Sequence, residues 1–356
     1  MKALLISFIK KLRIAHFVKL NFYDYRKHLK EYWRYASQGV ALAAEATGKS
    51  RSAVRMDMII KSYLTLASFQ DYFRFEFYLR SLENANEYLT KGKYSQVFDS
   101  LSTKETIEIM DNKPLFLDVF KDYVGRDWLH VTPETTPADI EKFTGKHKVF
   151  IGKRENLNMG RGIQLINSED FSGAEELLDH LLKYELFLIE ERLENHEDLK
   201  KFSKVSLNTL RVITVKHSGG AKIIGVLFKF GDGDNVADSP GAGYKCPVDI
   251  ETGVIYRGVT GSGALRNGFL EKHPDGYDII GLTIPFWEEL VVMIKDAAML
   301  LEDCYYVPWD VAVTPDGPQI VEGNCNCGYD YQWTTGRPTY YDMKEAYDFA
   351  EASRKK

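Results

Sequence analysis

Asp310, Glu322 and Asn324 have the residue types and the spacing of a cation site in the stretch PWDVAVTPDGPQIVEGNCN. Two carboxylates directly opposite each other on neighbouring strands repel each other. Hard divalent cations take oxygen ligands, and Mg²⁺ is usually held by one or two carboxylates together with substrate phosphates. The three side chains therefore predict a magnesium site. The alternative is a solvated strand edge that carries two acids by coincidence.

This site depends on a hairpin. The apolar runs WDVAV and PQIVEGN predict two strands, and the order Thr-Pro-Asp-Gly between them favours a type I turn. A three-residue loop, Pro315 to Gly317, would pair Thr314 with Pro318. Counting outward then places Asp310 opposite Glu322.

A second candidate segment, VFIGKRENLNMGRGIQLI at residues 149–166, has the composition of a phosphate-covering loop. Lys153 ends an apolar strand and would supply a positive charge, whereas Gly160 and Gly162 would let backbone N–H groups approach an anion. The lysine precedes the glycines and no helix follows, so this is not the GxxxxGK[ST] phosphate loop. An ordinary hairpin loop is the alternative.

Three charged residues lie in or next to other apolar strands. Glu190 and Glu191 end the run FLIEE, where a carboxylate could accept a hydrogen bond from an adenine amino group or a ribose hydroxyl. A charged strand end is the simpler explanation. Arg211 lies within TLRVITV, and a half-buried arginine needs an anionic partner, either a structural carboxylate or a phosphate.

The elements around these residues predict an α+β chain. Apolar residues recur every three or four positions up to about residue 100, which indicates helices, and two short helices follow in TKETIEIM and KPLFLDVFKDYVG. From residue 147 the runs KVFIG, GIQLIN and LFLIEERL predict strands. TLRVITVKH and AKIIGVLFKFG predict a β-hairpin, and PFWEELVVMIKDAAMLLED predicts an amphipathic helix.

Composition excludes several functional classes. The net charge of −5 gives no reason to expect nucleic acid as a partner. Four cysteines are too few for a disulfide framework, and the Cys325-x-Cys327 pair is better explained by buried thiols than by a soft-metal site. No segment is apolar enough to span a membrane. Residues 1–20 predict a basic amphipathic helix, which either packs on the protein or lies on an anionic membrane surface.

The order of these segments resembles the ATP-grasp superfamily over about residues 105–345. SLNTLRVITV, HPDGYDIIGLTIPFWEEL, PWDVAV and GPQIVEGN together resemble its sugar-transfer-associated family, which is found with surface-polysaccharide genes. The resemblance implies two α+β subdomains that clamp ATP, after a helical N-terminal region. The expected boundaries are 1–104 for that region, 105–200 for the small subdomain and 201–356 for the large subdomain with the metal site.

The resemblance also implies roles for individual residues. The metal ligands would be Asp310, Glu322 and Asn324, with Mg²⁺ and ATP as the cofactors. The expected ATP-binding residues are Lys113, Lys153, Gly160, Gly162, Glu190, Glu191 and Lys229. Many ATP-grasp ligases carry an arginine two residues before the first metal acid, where this chain has Pro308. Arg211 or Arg257 is therefore expected to serve as the catalytic arginine.

The resemblance implies an ATP-dependent carboxylate–amine ligase that forms an amide through an acyl phosphate, and the expected carboxylate is a sugar acid of a surface-polysaccharide precursor. A kinase that phosphorylates a hydroxyl and a non-catalytic nucleotide-binding scaffold are the alternatives. Candidate acceptor-binding residues are Arg266, His273 and Asp275, although His273 equally suits a turn. We expect a cytoplasmic protein, at the inner membrane surface if residues 1–20 bind lipid, and a homo-oligomer is compatible with the sequence.

Overall fold

The computed structural model describes residues 13–24, 28–154, 162–203, 205–231, 243–261, 269–325 and 328–355. These residues form two compact units. One comprises the described residues up to 101 together with those from 328 onward, and the other comprises those between 102 and 325. Gly160, Arg266 and Cys327, about which the sequence makes predictions, lie outside the described residues. So do positions 1–12 of the predicted amphipathic helix.

The first unit is helical, as the apolar spacing predicts. Residues 13–18 are helical and continue into a π-helical turn, Lys19–Tyr23. The following helices are α1 Leu29–Thr47, α2 Arg51–Thr65, α3 Phe69–Arg74, α4 Leu82–Glu87 and α5 Lys91–Val97. Side-chain caps begin several of them: Ser50 accepts from the N–H of Ala53, and Ser68 forms a capping box with Asp71.

The second unit contains the remaining elements up to residue 325. Its helices are α6 Lys104–Asp111, α7 Lys113–Val119, α8 Lys121–Val124, α9 Pro137–Thr144, α10 Ala174–Lys183, α11 Glu197–Lys200 and α12 Trp287–Met299. Its strands are β1 Trp128–His130, β2 Val149–Lys153, β3 Ile163–Asn167, β4 Leu188–Glu191, β5 Thr209–His217, β6 Gly220–Phe230, β7 Tyr244–Pro247, β8 Thr260–Gly261, β9 Tyr306–Thr314 and β10 Gly317–Gly323.

Two antiparallel sheets organise this unit. The four-stranded sheet has the order β1-β4-β2-β3, and the six-stranded sheet has the order β10-β9-β5-β6-β7-β8. The predicted hairpin of β5 and β6 is confirmed, with His217 paired to Gly220. Helices α9 and α10 pack against each other beside the small sheet, and α12 packs on β5, β6 and β10. The predicted amphipathic helix is thus the cover of the large sheet.

Alternation along β9 separates the core from the functional face. Trp309 is fully buried, and its Nε1–H donates to Thr214 Oγ1 at 2.9 Å. Phe120 packs edge-on against the indole, with ring centroids 5.2 Å apart. Because successive side chains of a strand point to opposite faces, anchoring Trp309 in the core turns Asp310 to the other side.

The end of the chain completes the first unit. Helices α13 Tyr331–Thr335 and α14 Tyr340–Ser353 belong to it, and the Gln332 amide bonds both backbone groups of Leu89. The core of this unit is largely aromatic, with Tyr72, Phe75, Phe77 and Tyr88 almost completely buried. Among the described residues, no helix is long and apolar enough to cross a membrane.

Candidate active site

Arg211, Asp310 and Glu322 form one row across three neighbouring strands. Arg211 of β5 is the Cα partner of Asp310 in β9, and Asp310 is the Cα partner of Glu322 in β10. Residues that are paired directly across antiparallel strands have their side chains on the same face. The row therefore gathers one guanidinium and two carboxylates at one place on the sheet, as the predicted register of the acids requires.

The turn that leads to this register differs from the predicted one. Thr314 pairs with Gly317, not with Pro318, so the loop has two residues instead of three. Continued regularly, that pairing would place Val321 opposite Asp310 and turn Glu322 to the opposite face. A β-bulge between Ile320 and Glu322 inserts one residue and restores the pairing of the two acids. The prediction of a three-residue loop was wrong. The predicted pairing of the two acids is nevertheless present, because the bulge compensates for the shorter turn.

Arg211 binds Asp310 through both of its facing donors. Nε lies 2.6 Å from Oδ1 and Nη2 lies 2.9 Å from Oδ2, while Lys229 Nζ lies 3.7 Å from Oδ2. Burial alone would raise the pKa of Asp310, but the charges of Arg211 and Lys229 outweigh it and lower this pKa to about 2. Asp310 is therefore ionised throughout the physiological range. Arg211 has a carboxylate partner, which was one of its two predicted explanations.

Glu322 is the electrostatically unfavourable member of the row. Its enclosure by protein and the Asp310 carboxylate opposite it both raise its pKa. The side chain still reaches solvent at the cleft, so an incoming ion can contact it. Asn324 follows on the same edge, where its backbone N–H donates to Pro308 O at 3.1 Å. Hard oxygen donors with a repulsive charge pair fit a magnesium ion, which would offset that repulsion.

A cleft of about 30 Å³ lies beside these acids. Lys113, the first residue of α7, and Lys153, the last residue of β2, both line it with Glu322 and Asn324. Its complete lining is Met110, Asp111, Lys113, Phe116, Leu117, Lys153, Glu190, Val321, Glu322, Gly323 and Asn324. The structure thus brings both predicted phosphate lysines to the predicted metal ligands. The volume suits only water molecules, so a nucleotide requires a wider cleft.

Gly323 makes the close approach of α6 to this edge possible. A Cβ atom at this position would lie 2.4 Å from Met110 Cε and 3.1 Å from a ring carbon of Phe116. A larger residue at this position would have to displace the methyl group of Met110 and would crowd the rings of Phe116 and Trp309. The packing at this edge therefore favours a glycine between Glu322 and Asn324, the two predicted ligands.

Glu190 is held by two cations on the floor of the cleft. Its Oε2 accepts from Lys153 Nζ at 2.6 Å and from Arg126 Nε at 3.0 Å. Burial opposes ionisation, but the charges of Arg126 and Lys153 lower the pKa of Glu190 to about 2. In this arrangement Glu190 fixes the position of Lys153. Its carboxylate oxygen Oε2 is already engaged, although its proposed contact with adenine stays a prediction.

Arg126 is the functional residue that the sequence reasoning missed. Its side chain is 1% exposed, and besides Glu190 it donates to Ile320 O at 2.7 Å and to Val321 O at 3.0 Å. It thereby joins the small sheet to the bulge that places Glu322. Its sequence context, a charged residue after Gly125 and before a three-residue strand, is typical of an exposed turn, so only the tertiary structure identifies it.

Glu191 and Gly162 lie at the margins of this site. Glu191 Oε2 accepts from the N–H of Asp127 at 3.1 Å, and His147 Nε2 lies 2.8 Å from Asp127 Oδ2. Glu191 is partly exposed and follows Glu190 at the end of β4, where the resemblance places a ribose contact. Gly162 has a φ of 71°, a left-handed conformation that favours glycine, directly before β3.

The two described acceptor candidates, His273 and Asp275, and the second candidate for the catalytic arginine, Arg257, occupy different environments. His273 is buried, its Nδ1 accepts from the N–H of Asp275 at 3.0 Å, and its Nε2 lies 3.1 Å from Phe202 O. These bonds support the turn-stabilising explanation for His273. Asp275 is exposed in that turn, and Arg257 is exposed with its guanidinium 3.5 Å from the ring centre of Phe269.

The described cysteines are buried thiols, in agreement with the explanation favoured above. Cys304 and Cys325 lie with their sulfur atoms 3.7 Å apart, and Cys246 is buried elsewhere in the core. Burial raises the pKa of Cys246. Cys325 directly follows Asn324 and packs beneath the cleft.

Comparisons with known proteins find distantly similar solved structures and one matching family model. Similar solved structures include the D-alanine–D-alanine ligase from Coxiella burnetii, at 11% identity over 75% of this chain and 69% of that chain, with a TM-score of 0.46. The phosphoribosylamine–glycine ligase from Thermotoga maritima is 16% identical over 68% of this chain and 54% of that chain, with a TM-score of 0.41.

The ATP-grasp ligase PsnB, solved with a minimal precursor, is 12% identical over 70% of this chain, with a TM-score of 0.41, and the chain spans 63% of its length. No curated protein matches the chain. The model of the family described as sugar-transfer associated ATP-grasp matches residues 96–338, which include both sheets and every residue of the cleft. With its two antiparallel sheets and the helical region before them, the chain has the ATP-grasp fold and belongs to the sugar-transfer-associated ATP-grasp family.

Proposed function

We propose that this chain is an ATP- and Mg²⁺-dependent carboxylate–amine ligase. The observation that carries the proposal is that Glu322, which ends the row Arg211, Asp310 and Glu322, lines one cleft together with Asn324, Lys113 and Lys153. Cations and hard oxygen donors in such proximity suit the phosphates of a nucleotide and the metal ion that accompanies them. Membership of the family supports the same ligand.

Asp310, Glu322 and Asn324 would hold Mg²⁺, which would supply positive charge to offset that of the nucleotide phosphates. Lys153 would exchange its bond with Glu190 for a phosphate oxygen, and Lys113 would approach from the start of α7. Arg211 and Lys229, which already neutralise Asp310, would offset the charge that develops during phosphoryl transfer. Such transfer depends on positioning and electrostatics, so no protein nucleophile is required.

The proposed reaction has two steps. A substrate carboxylate attacks the γ-phosphorus of ATP, ADP leaves, and an acyl phosphate forms. An amine then attacks the acyl carbon, inorganic phosphate leaves, and the nitrogen loses a proton to give the amide. As the carboxylate we propose a sugar acid of a surface-polysaccharide precursor, with the family's association with sugar transfer as the support, and a cytoplasmic enzyme would meet such a precursor.

Trapping the acyl phosphate tests the reaction type. The protein is incubated with ATP, Mg²⁺ and a set of sugar acids and nucleotide-linked sugar acids, with or without hydroxylamine, and ADP and hydroxamate are measured. A ligase gives hydroxamate in proportion to ADP. A stable phosphorylated product without an amine would instead identify a kinase, and Mg²⁺-dependent ATP binding with no turnover on any acid would identify a scaffold.

A further inference from the structure

The outer surface of the helical unit is unusually apolar for a region exposed to water. Among the described residues, eight of the twenty-four exposed large apolar side chains lie between residues 14 and 60. These eight are Ile14, Val18, Phe22, Trp33, Leu42, Met56, Ile59 and Ile60. Exposed apolar side chains are ordinary when scattered, whereas a cluster indicates a surface that another molecule covers.

Three of these eight side chains, Phe22, Trp33 and Ile59, line one apolar cavity. It has a volume of about 200 Å³ and is lined by Phe17, Phe22, Trp33, Ala36, Ser37, Val40, Arg55, Met58, Ile59 and Phe69. Phe22 and Trp33 touch at its rim, with ring centroids 5.8 Å apart. The lining comes from residues 13–24, α1, α2 and Phe69 of α3, so four segments contribute to a single surface.

Helix α2 extends this surface outward. Its inner face is buried through Val54 and Met58. Met56 and Ile60 lie one turn apart on the outer side, next to Ile59 of the cavity. Ile14 and Val18 are likewise one turn apart and exposed on the segment before the π-helical turn. Helix α2 is therefore apolar on two sides, although only one of them faces its own core.

The charge around this surface is strongly positive. Residues 1–60 contain twelve basic and four acidic side chains, whereas the whole chain contains 46 and 51. Six of the basic side chains are exposed and form no ion pair within the described part of the chain: Lys19, Lys30, Arg34, Lys49, Arg51 and Arg55. Three of the four acids are already paired, Asp24 with Lys91, Glu31 with His28, and Asp57 with Lys61.

We propose that the surface formed by residues 13–24, α1 and α2 docks on an anionic lipid bilayer. Exposed aliphatic side chains would enter the acyl region, Trp33 and Phe22 suit the boundary between headgroups and chains, and the cations would contact anionic headgroups. A second copy of the chain would bring the same cations face to face, so self-association is electrostatically unfavourable. The proposal does not depend on the ligase activity.

Vesicle co-sedimentation with the full chain tests it. Vesicles of phosphatidylcholine alone are compared with vesicles that also contain phosphatidylglycerol, at about 0.1 M and about 1 M salt, between which screening of exposed charges becomes nearly complete. We expect binding to the anionic vesicles at low salt, a large loss of binding at high salt, and a blue shift of tryptophan emission that Trp33→Phe removes.

The decisive variant is Met56→Gln with Ile60→Gln. These side chains are 59% and 48% exposed, and so are Val292 and Met299 of α12 in the other unit, so Val292→Gln with Met299→Gln is a matched control. The first pair should lower vesicle partitioning at least about ten-fold, because two apolar side chains no longer enter the bilayer. The control pair should bind like the original chain.

Equal partitioning of both double variants and the original chain would overturn the proposal. Binding would then come from a part that all three share, such as residues 1–12. Equal binding to neutral vesicles would also overturn it. The original chain could instead fail to bind vesicles, while Met56→Gln with Ile60→Gln dissociates an oligomer in light scattering. The surface would then be a protein contact, and the bilayer assignment would be wrong. Circular dichroism and thermal unfolding establish that each variant is folded.

Discussion

Asp310 and Glu322 face each other only because β10 contains one extra residue, Val321, just before the glutamate. The carbonyl groups on either side of this bulge, those of Ile320 and Val321, are bonded by the Arg126 guanidinium at 2.7 Å and 3.0 Å. A bulge removes residues from the regular ladder, so its carbonyls need other donors. Arg126 supplies these donors and also binds Glu190. Arg126 thus holds β10, the strand that carries Glu322, in register.

Replacing Arg126 should weaken both the fold and the metal site. Arg126→Met leaves two carbonyls without their donor and removes one of the two cations that bind Glu190. We expect the free energy of unfolding to fall by about 3–5 kcal/mol. The half-saturating Mg²⁺ concentration should rise at least about ten-fold because Glu322 is no longer fixed. Denaturant unfolding measures the first effect, and Mn²⁺ binding followed by electron paramagnetic resonance measures the second without requiring turnover.

A second variant separates the bulge from the charge. Arg126→Met with Glu190→Gln removes the unbalanced carboxylate, so part of the lost stability should return while the metal affinity stays low. An Arg126→Met protein that binds Mn²⁺ like the original chain would show that the bulge holds itself without the guanidinium.

The sequence predicts the acids of this site better than it predicts what positions them. Counting outward from the predicted three-residue loop places Asp310 opposite Glu322, and the structure has this pairing although the loop is different. The sequence does not show that the turn is one residue shorter and that a bulge restores the register. A three-residue loop without a bulge and a two-residue loop with a bulge have the same apolar pattern. Arg126 was missed for a related reason, since its buried partners are backbone carbonyls far along the chain.

Other differences between prediction and structure also come from tertiary contacts. The amphipathic period identifies α12 correctly, since that helix covers the large sheet with one face. Nothing in the local sequence predicts that residues 328–355 belong to the helical unit. This association depends on long-range hydrogen bonds such as those between Gln332 and Leu89. For His273 the sequence offered two roles, and only the structure shows that both ring nitrogens are engaged by backbone groups.

The two acids of the metal site should have opposite effects on stability. Asp310→Asn weakens a buried ion pair with Arg211 and should lower the free energy of unfolding by about 2–4 kcal/mol. Glu322→Gln removes a repulsive charge, whose effect solvent screens, and should raise it by up to about 1 kcal/mol in metal-free buffer. Each should reduce Mg²⁺-dependent ADP release at least about 100-fold. Thermal unfolding with and without Mg²⁺ provides the comparison.

Near-normal turnover in both of these variants would show that the acids are not the metal ligands. A gain of stability in Asp310→Asn would contradict the ion pair. An increase in melting temperature on adding Mg²⁺ should occur in the original chain and be absent from both variants, which ties the stability effect to the ion.

Glu190 makes the stability of the metal-free protein depend on pH. Its pKa is about 2 in the folded chain against 4.5 ordinarily, so its ionised form stabilises the fold above pH 4.5. That contribution, at most about 3 kcal/mol, is lost as the pH falls from 4.5 toward 2. Glu190→Gln should therefore be less stable than the original chain at pH 7, and the difference should shrink on acidification. Urea unfolding at several pH values measures this.

A matched substitution controls for general effects of acid. Glu169 forms an exposed pair with Lys148 on the same sheet, so Glu169→Gln should change stability little at any pH. A difference between Glu190→Gln and the original chain that stays constant from pH 7 to pH 3 would mean that the Glu190 charge does not stabilise the fold.

Lys153 should contribute directly to ATP affinity. In the nucleotide-free cleft its ammonium group is 2.6 Å from Glu190, while Arg126 binds the same carboxylate oxygen from the other side. The lysine can therefore turn to a phosphate without leaving Glu190 unpaired. Because a hydrogen bond to a charged group contributes about 1.5–3 kcal/mol, Lys153→Met should weaken ATP binding about 10- to 100-fold. Lys148→Met, which removes an exposed lysine of the same sheet, should leave it unchanged. Calorimetric titration with ATP and Mg²⁺ distinguishes them, and equal affinities in the two variants would remove Lys153 from the phosphate site.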